Sequence, residues 1–187
     1  FKDGINFVTA DLDNDGKKEI ITAPEKGGPQ IRIFNQDGFL IDPGFFAYNK
    51  NFRGGMSVAV GDINGDGVKE IITAPGSGME PLIKIFDTHG KLLNSWLAYD
   101  KNFRGGVSVA VGDYNGDGVA EIITGQQSKG VQIKVFGGSG KPVYTPFDAF
   151  KTNKSQGVRV IALDLDGDRS TEILATSTKT FTISTLR

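Results

Sequence analysis

The strongest constraint on this chain is a repeat. The segment FKDGINFVTADLDNDGKKEIITAP opens at residue 1, FRGGMSVAVGDINGDGVKEIITAP at 52, FRGGVSVAVGDYNGDGVAEIITGQ at 103, and a looser copy, KSQGVRVIALDLDGDRSTEILATS, at 154; each begins 51 residues after the last. A chain of 187 residues that repeats at this interval is an array of similar units, none of which buries an apolar face without its neighbour. The units are expected at about 1–51, 52–102, 103–153 and 154–187, forming a single array.

Within a unit the pattern is β throughout. In the second, SVAVGD (57–62), EIITAP (70–75), LIKIFD (82–87) and KLLNSWLAYD (91–100) are short runs bounded by Gly, Pro, Asn and Asp. Such runs read as strands joined by tight turns, and no stretch sustains a helical apolar period. Four antiparallel strands in about 50 residues describe a propeller blade. The expectation is therefore an all-β, partial or half propeller of four blades, the last without its outer strand. It has about 15 strands and ends on the third strand, KTFTISTLR. Small residues in VAVGD suit an innermost strand. Tyr48, Tyr99 and Phe150 share the 51-residue step and read as blade-to-blade packing on the fourth strand. Trp96 reads as lacking an aromatic counterpart, and as packing rather than a ligand contact.

The chemistry lies in the turn after the first strand of each unit. Its oxygen-bearing side chains are Asp11, Asp13, Asp15 and Glu19 in the first copy, and Asp62, Asn64, Asp66 and Glu70 in the second. They are Asp113, Asn115, Asp117 and Glu121 in the third, and Asp164, Asp166, Asp168 and Glu172 in the fourth. Counted from the first aspartate, oxygen-bearing side chains fall at positions 1, 3, 5 and 9. A hard cation such as calcium takes six to eight oxygens at about 2.3–2.6 Å, and alternate side chains of a tight turn converge on one centre. Glycine at position 6 permits the left-handed bend. The position-7 carbonyls of Lys17, Val68, Val119 and Ser170 are the natural further ligands. The opening resembles the start of an EF-hand loop, but position 12 is Thr22, Thr73, Thr124 or Ala175 instead of glutamate, and the flanks are strands. One such loop would be an ordinary Asp/Asn turn. Four at constant spacing point to a metal, with up to four calcium ions, one per blade.

Charge supports this. Fourteen of the 22 acidic residues lie in these four nonamers, and carboxylates packed so closely are costly without a cation. Filling all four sites with a divalent ion would move the formal net charge from −1 to +7. Loop four departs from the pattern, since Arg169 replaces glycine at position 6 at a cost on the order of 1–2 kcal/mol. Magnesium, which demands strict octahedral geometry, fits less well than calcium.

Composition closes other routes. With no cysteine there is neither disulfide nor thiol nucleophile, and a net charge of −1 gives no bulk attraction to nucleic acid or anionic membrane. No apolar run of 18 residues suggests membrane insertion. The chain opens inside a repeat, as a mature segment or a piece of something longer would. The single histidine, His89, falls in a solvated turn, and Arg53 and Arg104 recur once per blade as packing or anion-binding residues. Nothing here builds a catalytic constellation.

The segments FRGGMSVAVGDINGDGVKEIITAP and FRGGVSVAVGDYNGDGVAEIIT, with the IKIFD and IKVFG strands after them, resemble the FG-GAP/VCBS repeats of integrin α-subunit propellers and bacterial surface proteins. The resemblance covers essentially the whole chain. It implies a propeller of about seven or eight blades, more than 187 residues supply. It also implies calcium in the first hairpin of each blade and a role in adhesion or ligand recognition. The expected partners are a second copy, completing an eight-bladed ring, or the remaining blades of a larger parent; closure of this chain alone as a four-bladed ring is the third alternative. The protein or glycan ligand is left open. A non-catalytic, secreted or cell-surface module is expected. A lectin, or an accessory domain of a polysaccharide-degrading enzyme, is the alternative.

Overall fold

The computed structural model describes residues 3–151, 155–178 and 183–186. Phe1, Lys2 and the remainder of the expected KTFTISTLR strand lie outside the described residues. Among the described residues there are fifteen strands and no helix. The first sheet holds β1 (Ile5–Ala10), β2 (Glu19–Pro24), β3 (Gln30–Phe34) and β4 (Leu40–Phe46). The second holds β5 (Met56–Gly61), β6 (Glu70–Pro75), β7 (Leu82–Phe86) and β8 (Leu92–Leu97). The third holds β9 (Val107–Gly112), β10 (Glu121–Gln126), β11 (Gln132–Phe136) and β12 (Phe147–Asp148). The fourth holds β13 (Val158–Leu163), β14 (Glu172–Ser177) and β15 (Ile183–Leu186). Each is an antiparallel meander in chain order, of four, four, four and three strands. These are propeller blades, and among the described residues no sheet closes on itself.

The blades stand side by side. Inner strand packs on inner strand, β1 on β5, β5 on β9 and β9 on β13, around a central cavity of about 260 Å³. The apolar core is correspondingly split into three clusters, one between each successive pair of blades. Burial of the second strand shows what a neighbour contributes. Glu19–Pro24 and Glu70–Pro75 have the same sequence, EIITAP. In β6, with a blade on either side, every residue is buried; in β2, whose blade has a neighbour on one side, burial alternates. Close approach of inner strands explains the small residues there. A Cβ on Gly61 would meet the Val111 side chain at 2.4 Å.

A polar staple repeats at each junction. Asn6 Nδ2 donates to the Met56 carbonyl (2.8 Å), Ser57 Oγ to Val107 (3.0 Å) and Ser108 Oγ to Val158 (3.1 Å). The next residue at this step is Arg159, which instead pairs with Glu25 of the first blade at 2.5 Å, across the mouth of the array. That pair is exposed, so it adds little to stability.

Two sequence readings need correction. Trp96 does have aromatic counterparts, Phe45 and Phe147, at the 51-residue step. Phe45 packs on Phe86 of the next blade with ring centroids 4.7 Å apart, and Trp96 on Phe136 at 5.7 Å. Trp96 therefore belongs to the junction. Tyr48, Tyr99 and Phe150 are buried at junctions as expected, but each sits two residues beyond its outer strand rather than on it.

Candidate metal centres

The loops join the two inner strands of each blade. Their shape is dictated by left-handed residues at two positions. Position 6 is Gly16, Gly67, Gly118 and Arg169, with φ of 86°, 83°, 89° and 75°. Position 4, which the sequence reading passed over, is Asn14, Gly65, Gly116 and Gly167, with φ of 59° to 80°. Asn and Gly are the residues that take this conformation most readily, so the signal was present in the sequence.

The position-1 aspartate organises the turn. Both carboxylate oxygens accept backbone N–H groups: in loop two from Gly65 (2.7 Å) and Gly67 (2.8 Å), in loop three from Gly116 and Gly118, in loop four from Gly167 and Arg169. In loop one Asp11 accepts from Asp15 and Gly16. The position-5 carboxylate accepts the position-7 N–H at 2.8 Å in every loop, on Lys17, Val68, Val119 and Ser170.

The position-9 glutamate opens the second strand and is buried in every blade, as Glu19, Glu70, Glu121 and Glu172. One oxygen accepts the position-2 backbone N–H, from Leu12, Ile63, Tyr114 and Leu165. The other faces position 3 in loops two and three, where the Asn64 and Asn115 amides donate to it at 3.1 and 2.8 Å. Loops one and four carry Asp13 and Asp166 there. Carboxylate oxygens of Asp11, Asp13 and Asp15 lie within 4.8 Å of one another, as do those of Asp164, Asp166 and Glu172. Glu19 stands outside the first trio and Asp168 outside the second.

Electrostatics separates positions 1 and 9. Burial works against ionised Asp62, but N–H donation from Gly67, Gly65, Asn64 and Asp66 outweighs it and holds the carboxyl below its ordinary range. Burial, reinforced by the charges of Asp66 and Asp62, pushes Glu70 up despite the Ile63 N–H; Glu121 is raised the same way, with Asp117 and Asp113 as the neighbours. A raised folded pKa means that the ionised acid costs stability. The metal-stripped protein is therefore expected to gain stability as pH falls from neutrality through the raised values toward 4.5, the ordinary glutamate value. It then loses stability as Asp62 is protonated. In millimolar calcium the first trend should invert, because protons compete with the ion. Melting curves at stepped pH check this, and the same slope in both buffers would contradict it.

The donor set fits a hard cation: oxygens alone, clustered, one of them buried among like charges. The loops are also tied to one another. Lys69 Nζ donates to the Asp11 carbonyl (2.9 Å), Ala120 N to Asp62 (3.0 Å), Thr171 N to Asp113 (2.7 Å), and Asn14 Nδ2 to Gly67 (3.2 Å). The other singled-out residues lie elsewhere. His89 is exposed in the Asp87–Gly90 turn, its N–H on Asp87 Oδ1. Arg53 and Arg104 donate to carbonyls of their own loops, Lys50 and Phe52 for the first, Lys101 and Phe103 for the second.

Comparison with known proteins agrees with this architecture. The FG-GAP-like repeat model matches residues 11–73 and the FG-GAP repeat model residues 105–140. No curated protein matches the chain by sequence. Among solved structures the fold is similar to rhamnogalacturonan lyase YesW, at 16% identity and a TM-score of 0.60, over 92% of this chain and 40% of that one. It is similar to the Bacillus licheniformis rhamnogalacturonan lyase PL11, at 17% and 0.62, over 92% and 40%. It is also similar to the V. cholerae biofilm matrix protein Bap1, at 23% and 0.53, over 94% and 29%. The chain thus spans two fifths or less of each of these structures.

Proposed function

From a chain built of FG-GAP-type repeats, we propose a calcium-stabilised, non-catalytic recognition module of an extracellular protein. The observation that carries this is the position-9 glutamate, buried in all four loops and pushed up by neighbouring carboxylates in loops two and three. Calcium would neutralise that cluster. The ligands would be the side chains at positions 1, 3, 5 and 9 and the position-7 carbonyls of Lys17, Val68, Val119 and Ser170. In loops two and three, Asn64 and Asn115 would turn their oxygens inward. The protein's contribution is a turn already shaped by its own N–H groups, so little ordering is left for the ion to impose. Affinities of about 10⁻⁴–10⁻³ M are usual for extracellular calcium modules, and sites of that strength fill outside the cell. Among the described residues no helix is long and apolar enough to cross a membrane.

Calorimetric titration of the metal-stripped protein tests the reading. Asp66→Ala and Asp117→Ala are each expected to remove one bound ion. An unchanged stoichiometry in both variants would refute the assignment.

A second reading is an accessory or carbohydrate-binding domain of a polysaccharide-degrading enzyme, favoured by fold likeness to two rhamnogalacturonan lyases. Glycan arrays set against protein pull-downs separate recognition of sugar from recognition of protein. Under either reading the open ends are completed by further blades, from a second copy or from a larger parent. Molar mass in solution distinguishes these, a doubled mass meaning self-association.

A further inference from the structure

The exposed face of the first blade carries two side-chain seats that the second and third blades carry filled. In the second blade, the Tyr48 hydroxyl donates to the Leu82 carbonyl (2.8 Å) and accepts from Thr73 Oγ1 (3.2 Å), with Lys84 Nζ 5.1 Å from the ring centroid. In the third, the Tyr99 hydroxyl donates to the Gln132 carbonyl (2.9 Å) and lies 3.1 Å from Thr124 Oγ1, with Lys134 Nζ 5.0 Å from the ring centroid. Each tyrosine comes from the preceding blade. Three residues before it, Phe45 or Trp96 lies against the turn glycine of the receiving blade, so close that a Cβ on Gly90 or Gly140 would strike the ring. The same ring stacks on Phe86 or Phe136. The donor is thus an outer strand leading into aromatic-x-Ala-aromatic: Phe45 to Tyr48, Trp96 to Tyr99, Phe147 to Phe150.

The first blade has the receiving half. Thr22 aligns with Thr73 and Thr124, Arg32 with Lys84 and Lys134, Phe34 with Phe86 and Phe136, and Gly38 with Gly90 and Gly140. Thr22 already donates to the Arg32 carbonyl (3.3 Å), as Thr124 does to Lys134. Thr22, Arg32, Phe34 and Phe46 line a groove of about 460 Å³, and nothing lies within 4 Å of a Cβ built on Gly38. On the inner strand, Ile5 and Phe7 are 58% and 68% exposed, while Met56 and Val58 at the same register are 2% and 8%.

We propose that this face is a docking site for the outer side of a preceding propeller blade, presenting aromatic-x-Ala-Tyr. The tyrosine would seat on Thr22 beneath Arg32, and the first aromatic on Phe34 at Gly38. A second copy's fourth blade is a poor occupant. It offers Ile161 and Leu163, 50% exposed, where the second and third blades have Ala59, Gly61, Ala110 and Gly112 in contact with the next blade. Bulk at those positions blocks the same close packing. This inference rests on the reading that further blades complete the open ends, and the test separates the two.

The full chain is prepared with a duplicate of its own residues 52–102 placed before Phe1, which continues the 51-residue register, and is melted in calcium. One cooperative transition is expected, with a midpoint raised by about 5 °C or more. Changing the duplicated Tyr99 to alanine should remove most of that gain. Thr22→Val should lower the midpoint by about 2–3 °C in the extended protein and by less than about 1 °C in the 187-residue chain. No gain, or a separate transition for the added blade, overturns both the docking and the completed-end reading. A gain insensitive to both the tyrosine and Thr22 overturns the seat alone. Doubling of the mass of the unextended chain, abolished by Thr22→Val, would name a second copy as the occupant and overturn the choice of a preceding blade.

Discussion

Removal of calcium with EDTA is expected to lower the melting midpoint of this protein by roughly 10–20 °C. An ion that binds only the folded state stabilises it by RT ln(1 + [L]/Kd), about 1.4 kcal/mol per site at ten times Kd. Four such sites give roughly 6 kcal/mol, and for a chain of this size each kcal/mol moves the midpoint by about 2–4 °C. The effect should be spread over the array, because every loop joins the two strands that form its blade's inner edge. Scanning calorimetry with and without chelator measures it directly. Coincident melting curves would mean that the acidic turns are held by their own N–H groups alone, and calcium would then have no structural part to play.

Replacing Tyr99 by alanine is expected to cost about 3–5 kcal/mol, the usual range for deleting a buried aromatic ring. The ring is buried between the second and third blades, against Phe103 at 5.6 Å. Burial pushes its phenol well above the ordinary range, the Thr124 hydrogen bond opposing. Tyr99→Phe should cost only about 1 kcal/mol, the net value of a hydrogen bond. Thr124 keeps its bond to the Lys134 carbonyl, and the chain itself uses phenylalanine at the equivalent Phe150. Urea unfolding of both variants gives the two values. A loss below about 1 kcal/mol for the alanine variant would show that the rings do not hold the blades together.

Much of this architecture was legible because strand signals and repeat period reinforce each other. The EIITAP runs, the Asp-rich turns and the small residues of VAVGD each mark one place in a blade, and the step of 51 residues fixes their order. The strands β5 to β8 fall within a residue or two of the expected starts, although the outer run stops at Leu97. What escaped reading lies at junctions. Phe45, Trp96 and Phe147 share a role but not a residue type, so the repeat did not announce itself there. Asn6, Ser57 and Ser108 look like ordinary solvated residues, and only the placement of the next blade shows that they staple it. Burial of the position-9 glutamate was equally hidden, since an acid that ends a polar loop reads as exposed until a sheet closes over it.

The carbonyl of the first loop aspartate has a further meaning. Its hydrogen-bond donor in the next blade is always the residue before the buried glutamate: Lys69 before Glu70, Ala120 before Glu121, Thr171 before Glu172. Each receptor is thereby hinged to the key acid of its successor. From the second blade to the third and from the third to the fourth the donor is the backbone N–H itself, so an ion in one of those turns would steady the backbone that aims the next, and neighbouring sites are expected to fill together and empty together rather than as separate equilibria.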